Sequence, residues 1–300
     1  MKTGNIPFKV LTLAGAIAMA SGAAHATLES YLQNGYNLLE DNSVEFIFRA
    51  DAGAPGGYRP IINENIADGD LLIQVLDWSA INSTELPAVG DELTAVAVNV
   101  ITNTRNFGTD NSGLQVYNDV DFDMVAGSAA DWNFVTGIDI TSFAWDTTGL
   151  ISLFYFDGAD NLDVFNDAYL PFGGGALVPN ATDGKLVFGL GIGDGTDYLT
   201  VEDVPLNPFD FTLGIPGVSR YGEFTYELSF LYEDFNGETT SDMSGTGDNL
   251  TPTAGSNSGI RDDTDASFNA IVPEPATTAL LGLGLLGLGY GRRRAGSAKS

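Results

Sequence analysis

A strict two-residue alternation in one segment of the chain constrains the fold more than any other feature. From Glu223 to Tyr232, aromatic and aliphatic side chains occupy every second position, and Glu, Thr and Ser occupy most of the positions between them. Successive side chains of a β-strand point to opposite faces of a sheet, so this pattern predicts a strand with one buried face. Further short apolar runs are separated by Gly, Asn and Asp, which favour turns.

These runs predict an all-β fold, an antiparallel β-sandwich or jelly-roll-like domain over residues 27–235. Two runs, Leu71–Leu76 and Ile151–Phe156, are apolar almost throughout and therefore predict central strands that are covered on both faces. One amphipathic helix is expected at Thr27–Leu39. The remaining candidate strands are Val44–Arg49, Leu93–Thr102, Gly113–Val120, Lys185–Ile192, Tyr198–Val201 and Phe209–Leu213.

The segment 236–270 differs from the predicted domain in composition. It is rich in Gly, Ser, Thr and Asp and contains only scattered apolar residues. This composition is typical of a flexible, acidic linker, which we expect to separate the domain from the C-terminal segment. The alternative for its last part is an edge strand at Asp265–Ile271.

The N-terminus has the three parts of a helical secretory signal peptide over residues 1–26. A basic start and a short apolar run precede Ala24 and Ala26, which flank His25 in a small-x-small cleavage pattern. Cleavage after Ala26 predicts a mature chain that begins at Thr27. The single histidine of the chain, His25, would then leave with the signal peptide.

The C-terminus has a second three-part pattern. Its proline-containing start is Val272, Pro273, Glu274 and Pro275. An apolar run, Ala276–Gly291, follows, and the pattern ends in the basic residues Arg292, Arg293 and Arg294. The prolines end any preceding helix, and the apolar run predicts one transmembrane helix of about 24 Å. Because arginines favour the cytoplasmic side of a membrane, the chain before the prolines is expected outside the inner membrane. The alternative is a plain membrane anchor.

This tail, residues 272–294, resembles the PEP-CTERM sorting signal of exported proteins in Gram-negative bacteria. The resemblance implies that an exosortase recognises the tail and removes it after a transient stay in the inner membrane. It also implies a final place at the cell surface or in the extracellular matrix, where exopolysaccharide, biofilm or floc is formed. Such tails are attached to many unrelated domains, so the resemblance does not extend to residues 27–271.

The chain is strongly acidic, with 40 Asp and Glu residues, 12 Lys and Arg residues and a formal net charge of −28. Such a charge repels nucleic acid, which we therefore exclude as a partner. The chain has no cysteine, and its one histidine precedes the mature N-terminus. The mature chain thus lacks the residues of Ser-His-Asp and Cys-His nucleophile systems and of typical zinc sites. We expect no enzyme activity.

Aspartate clusters are the candidate metal ligands, because carboxylate oxygens suit Ca²⁺. The first cluster is Asp119, Asp121 and Asp123, which have i, i+2, i+4 spacing on an extended segment. The second cluster lies in a turn and is Asp157, Asp160 and Asp163. Asp194 and Asp197 form a third, smaller cluster. None of the clusters has the spacing of an EF-hand loop. The alternative is that all of them are solvated acidic loops.

Together, these features predict an exported structural protein of the cell surface or extracellular matrix. The first alternative is a calcium-dependent carbohydrate-binding or adhesive module. In that module, Trp132 and Trp145 are candidates for a surface that stacks on sugars, whereas Trp78 is expected in the core. A second alternative is a secreted glycoside hydrolase that uses two carboxylates.

Overall fold

The computed structural model describes residues 27–61, 64–86, 90–107, 119–159, 161–164, 166–170, 174–205, 223–250 and 260–273. The predicted signal peptide, the apolar tail segment and its arginine cluster lie outside these residues. The candidate strand Phe209–Leu213 and most of Gly113–Val120 also lie outside them. Within the described residues, no helix is long and apolar enough to cross a membrane.

Antiparallel strands make up most of the described chain. The helices are short, α1 (Ala129–Thr136) and α2 (Leu177–Ala181), and 3-10 turns lie at Leu28–Ser30, Pro55–Gly57 and Ile140–Ser142. The strands, in chain order, are β1 (Gly35–Ala50), β2 (Tyr58–Pro60), β3 (Leu71–Ile81), β4 (Thr84–Glu85), β5 (Glu92–Phe107), β6 (Asp119–Ala126), β7 (Leu150–Asp157), β8 (Tyr169–Leu170), β9 (Gly174–Gly175), β10 (Lys185–Gly191), β11 (Tyr198–Pro205), β12 (Glu223–Glu233), β13 (Glu238–Thr239), β14 (Met243–Leu250) and β15 (Ile260–Ile271).

Eight of the strands form a closed ring in which every neighbouring pair is antiparallel. The order is β1, β3, β5, β7, β10, β12, β14 and β15, and β15 pairs with β1. β6 and β11 form a second path between β5 and β12. The all-β, antiparallel prediction is confirmed.

The predicted sandwich or jelly roll is corrected by this closure. A sandwich has two separate sheets that pack face to face, whereas the ring strands belong to one continuous sheet. The long strand β5 is the physical reason. Its first part pairs with β7 and its last part with β6 along the same edge, so hydrogen bonding continues where a sandwich would divide.

Alternate residues of the ring strands fill two hydrophobic cores. On β1, Leu39 and Ile47 belong to a cluster that takes residues from all eight ring strands and therefore lies inside the ring. Phe46 and Phe48 belong to a second cluster, which includes residues of α1 and α2 on the outer face. The prediction that β3 and β7 are covered on both faces is confirmed, since almost every residue of both strands is buried.

Helix α1 is not revealed by the strand periodicity, although both of its ends carry sequence signals. The Ser128 hydroxyl accepts the N–H of Asp131 (3.3 Å), and the Asp131 carboxylate accepts the N–H of Ser128 (2.7 Å), forming a capping box. Gly137 ends the helix in the left-handed conformation. The helix covers the outer face of the ring with Trp132 and Phe134.

The described residues of the predicted linker, 236–250 and 260–270, instead belong largely to the sheet, because they contain β13, β14 and most of β15. Close packing requires a glycine at position 245 of this segment, because a Cβ there would lie 2.5 Å from the Tyr226 ring and from the Asp265 carbonyl oxygen. The domain therefore extends to Ile271. The alternative strand at Asp265–Ile271 is confirmed as part of β15. Its edge position is corrected, since β15 pairs with β1 on one side and β14 on the other.

The predicted helix at Thr27–Leu39 is corrected as well. A 3-10 turn at Leu28–Ser30 precedes β1, which begins at Gly35 with a φ of +94°. Leu28 and Leu39 are buried, as the amphipathic pattern requires. A 3-10 turn followed by a strand buries these leucines just as a helix would. The spacing of the apolar residues therefore does not distinguish a helix from a turn and a strand.

Candidate functional site

Both ends of the described domain lie at the same end of the ring. Gly35, the first residue of β1, pairs with Ala270 near the end of β15. The turn that follows Thr27 packs beside them, with Leu28 buried in the interior core. We refer to the end where β1 begins and β15 ends as the terminal end of the ring.

Three carboxylates converge at the terminal end. Glu92 is the first residue of β5 and pairs with Asp157, the last residue of β7. Asp183 lies between α2 and β10. One carboxylate oxygen from each residue lies within 4.8 Å of those from the other two. We refer to Glu92, Asp157 and Asp183 as the acidic triad.

Burial raises the pKa of two carboxyl groups of the acidic triad, those of Glu92 and Asp157. Glu92 is 3% exposed, and its burial raises the pKa of the carboxyl to about 8. The backbone N–H of Leu162 donates to Glu92 (3.0 Å) and opposes this rise, whereas the charges of Asp77 and Asp157 add to it. Burial also raises the pKa of Asp157, and Asp183 contributes to that rise. Without a cation, Glu92 therefore holds a proton at neutral pH.

The acidic triad can exchange this proton for a cation. Carboxylate oxygens are the ligands that Ca²⁺ prefers, and a bound cation replaces protons on its ligands. The side chain of Asn161 donates from Nδ2 to Asp183 Oδ2 (2.8 Å) and so orients that carboxylate. The triad thus has the chemistry of a calcium site that competes with protonation of Glu92.

The structure brings one of the predicted calcium ligands, Asp157, into the acidic triad. Asp160 lies outside the described residues, and of Asp119 only the backbone is described. Asp163 is exposed and lies outside the triad, where it accepts the N–H of Asn166 (3.1 Å) in its own turn. Asp163 therefore has a local contact in its turn, and the grouping of Asp157 with Asp163 at one metal stays a prediction.

Asp121 and Asp123 lie on β6, also outside the triad. Asp123 accepts from Asn103 Nδ2 (2.8 Å) and forms an ion pair with Arg105 (3.3 Å). A guanidinium group thus supplies the positive charge that was expected of a metal ion. In the smaller cluster, Asp197 accepts the backbone N–H groups of its own turn. Asp123 and Asp197 thus have local partners within the protein.

Glu92 and Asp183 are the triad residues that the sequence analysis missed. They are far from Asp157 along the chain, and only the β5–β7 and β7–β10 ladders bring them together. A usable signal is nevertheless present. Each triad residue stands at or next to the end of an apolar strand, and neighbouring antiparallel strand ends meet at one edge of a sheet.

The three tryptophans do not form a continuous exposed surface. Trp78 and Trp132 are 1% and 0% exposed, so the core assignment of Trp78 is confirmed and Trp132 is also in the core. Trp145 is half-buried and stacks with Phe143 and Tyr232 at ring-centroid distances of 5.3 and 5.1 Å. We refer to these three partly exposed residues as the aromatic row, the remaining candidate surface for stacking on sugars.

The interior of the ring contains a cavity of about 30 Å³. Gln74, Trp78 and Tyr226 are among the residues that line it, and Trp78 Nε1 has no hydrogen-bond partner among the described residues. A cavity of this size holds one or two water molecules and is far smaller than the pockets that bind sugars. This cavity is therefore too small to be a sugar-binding site.

The predicted sorting pattern begins inside the folded domain. Val272 is 8% exposed and packs in the interior core, and its N–H donates to Asn34 Oδ1 (2.7 Å). Pro273 is exposed. Glu274, Pro275 and the three arginines lie outside the described residues. The ordered domain thus meets the tail without an intervening linker.

This arrangement defines a mostly antiparallel β protein whose last ring strand ends at Ile271, immediately before the C-terminal sequence pattern. Residues 272–294 match the family model described as the PEP-CTERM protein-sorting motif. The chain therefore carries a signal that implies export, processing by an exosortase-like enzyme, and a cell-surface or extracellular location. No curated protein and no solved structure matches the chain.

Proposed function

We propose that this protein is a structural component of the cell surface or extracellular matrix of a Gram-negative bacterium, associated with exopolysaccharide, biofilm or floc. The observation that carries the proposal is the sorting motif at residues 272–294, directly after the closing strand of the ring. The exosortase-like enzyme removes the apolar segment at the inner membrane. The β domain then remains outside the cell as the functional part.

The surface of the domain suits a polymer that is neutral or bridged by cations. Every basic side chain with described surroundings is paired with a carboxylate: Arg49 with Asp70, Arg59 with Glu64, Arg105 with Asp123 and Lys185 with Asp234. Within this part of the chain, no unpaired positive charge is left to attract a polyanion. This supports our expectation that nucleic acid is not a partner.

A structural or binding role also suits the carboxylates better than hydrolysis does. A glycosidase places two carboxyl groups on either side of a sugar, with space for the ring between them. Glu92 is enclosed at 3% exposure and accepts the N–H of Leu162, so a sugar cannot reach it in this conformation. We therefore propose no catalytic activity for the domain.

Replacing Pro273, Glu274 and Pro275 together with alanine tests the proposed sorting. We expect the variant to keep its tail and remain in the inner-membrane fraction, because the processing enzyme no longer recognises it. Intact mass and cell fractionation measure the outcome. Glu238→Ala, an exposed change on β13 near the same end, is the control and should be processed normally. A triple variant that is still truncated and surface-located would refute the proposal.

A calcium-dependent carbohydrate-binding or adhesive module is the second candidate. The acidic triad supports a cation site, and the aromatic row offers a partly exposed stacking surface. This function predicts calcium-dependent retention on a neutral polysaccharide column, weakened by Trp145→Ala. Tyr36→Ala removes an aromatic side chain that is 55% exposed elsewhere and should leave retention unchanged. Equal retention with calcium and with chelator would exclude this candidate.

A further inference from the structure

The pairing of β15 limits where the chain can be cut during sorting. The strand pairs with β1 on one side as far as Ala270, and with β14 and then β13 on the other side as far as Ile271. A peptidase takes its substrate as a locally opened segment, so bonds in a strand that is paired on both sides are protected by the stability of the sheet. Cleavage within β15 would also remove part of one strand of the ring.

Val272 extends this protection one residue beyond the strand. Its side chain belongs to the interior core, and its N–H is held by the exposed side chain of Asn34, which lies in the segment before β1. The next residue, Pro273, is exposed and cannot donate a backbone hydrogen bond. Burial therefore ends at Val272, and Pro273 is the first exposed residue after it, inside the matched sorting motif.

We propose that Val272 is a structural residue of the processed protein, and that its contact with Asn34 holds the new C-terminus at the terminal end of the ring. The inference rests on the proposed sorting function. The bond that breaks is a backbone C–N bond C-terminal to Val272. Its acyl carbon stays with the domain and bonds to the oxygen of water or the nitrogen of an acceptor amine. The departing nitrogen takes up a proton and leaves with the apolar segment.

This contact also keeps the domain close to the surface from which it is released. Pro273, Glu274 and Pro275 together span at most about 10 Å when fully extended. The terminal end of the ring, with the N-terminal turn beside it, therefore lies next to the membrane before cleavage. After cleavage, the same end lies next to whatever the new C-terminus is joined to, and the opposite end of the ring points away.

The position of the cut is measured by mass spectrometry of the C-terminal peptide of protein purified from the processing host. We expect the last residue of the processed protein to be Val272 or a later residue. It carries a free carboxylate if water is the nucleophile, and an amide if an amine is the nucleophile. A companion variant inserts Gly-Ser-Gly-Ser-Val between Val272 and Pro273, which keeps Val272 in place and repeats the start of the motif. Its processed terminus should be longer than that of the wild type by the five inserted residues.

A terminus at Ile271 or earlier would overturn the inference and leave the sorting function intact. An intact tail on the wild-type protein would refute the sorting function and the inference together. The two failures are distinguished by the same mass measurement, because the intact tail retains the apolar segment and the early cut removes Val272 with it.

Hydrogen exchange of the processed protein tests the contact with Asn34. We expect the Val272 amide to exchange at least about tenfold faster in Asn34→Ala than in the wild type, while the amide of buried Phe268 keeps its protection. Asn236→Ala, a change at another exposed asparagine, is the control and should leave the Val272 amide protected. A Val272 amide without protection in the wild type would contradict the proposed contact.

Discussion

At the scale of single residues, two buried carboxyl groups link the stability of the domain to pH. Glu45 is 4% exposed and accepts from Gln74 Nε2 (2.5 Å), and burial raises its pKa to about 7. Burial raises the pKa of Glu92 to about 8. A carboxyl with a raised pKa in the folded state contributes stability at low pH, which is lost as the pH rises through that pKa. Without calcium, stability should therefore fall between about pH 4.5 and pH 8.

Replacing Glu92 with glutamine should flatten this pH dependence. Glutamine can still accept the Leu162 N–H but carries no charge, so the variant escapes the cost of ionising a buried group. We expect the wild type to lose on the order of 2 kcal/mol more than Glu92→Gln between pH 5 and pH 8, measured by urea denaturation in chelator. Asp194→Asn is the control. Asp194 is exposed and its pKa is lowered, so its carboxyl group does not titrate between pH 5 and pH 8. Parallel curves for wild type and Glu92→Gln would contradict the assignment.

At the scale of secondary-structure elements, β14 shows how composition can conceal a strand. Its Gly, Ser and Thr residues indicate a flexible segment, yet β14 pairs with β12 and β15 along its length. The glycine at position 245 allows the Tyr226 ring to lie against the strand. Small residues here satisfy a steric requirement set by a neighbouring strand, which the local sequence does not contain.

Gly245→Ala should destabilise the domain by about 1–3 kcal/mol, because the new Cβ would lie 2.5 Å from the Tyr226 ring and the Asp265 carbonyl oxygen. Gly195→Ala is the matched control, since its Cβ would meet no atom within 4 Å. We expect the control to change stability by no more than about 0.5 kcal/mol. Urea denaturation of the processed proteins measures both values. Equal stabilities of the two variants would show that β14 does not pack as described.

The acidic triad also belongs to this scale, since it joins the ends of β5 and β7 and the segment before β10. A cation that binds only the folded state should raise the melting temperature by several degrees at saturating calcium, and chelator should reverse the rise. Asp183→Asn should abolish most of the shift, whereas Asp194→Asn in an exposed turn should preserve it. The shift should grow between pH 6 and pH 8, because calcium competes with the Glu92 proton. An equal shift in both variants would place the cation elsewhere.

At the scale of the whole molecule, closure of the ring determines where the two ends of the described domain lie. The pairing of β1 with β15 joins the first and last strands of the domain and brings Gly35 opposite Ala270. It also places Asn34 within hydrogen-bonding distance of Val272. The start of the described domain and the exit into the sorting motif are therefore neighbours in space, at the end that also carries the acidic triad.

The local sequence alone determined the all-β character, the doubly covered strands β3 and β7, and the sorting motif at residues 272–294. Each of these depends on neighbouring residues, either through a two-residue period, an apolar run or a linear signal. Only the tertiary structure determined that the ring closes, that β14 and β15 are two of its strands, and that Glu92 lies close to Asp157 and Asp183. These depend on which distant strands form hydrogen bonds with one another. A two-residue period predicts which side chains of a strand are buried, but it does not predict which neighbouring strand or helix covers them. For this physical reason the strands could be predicted from the sequence and their pairing could not.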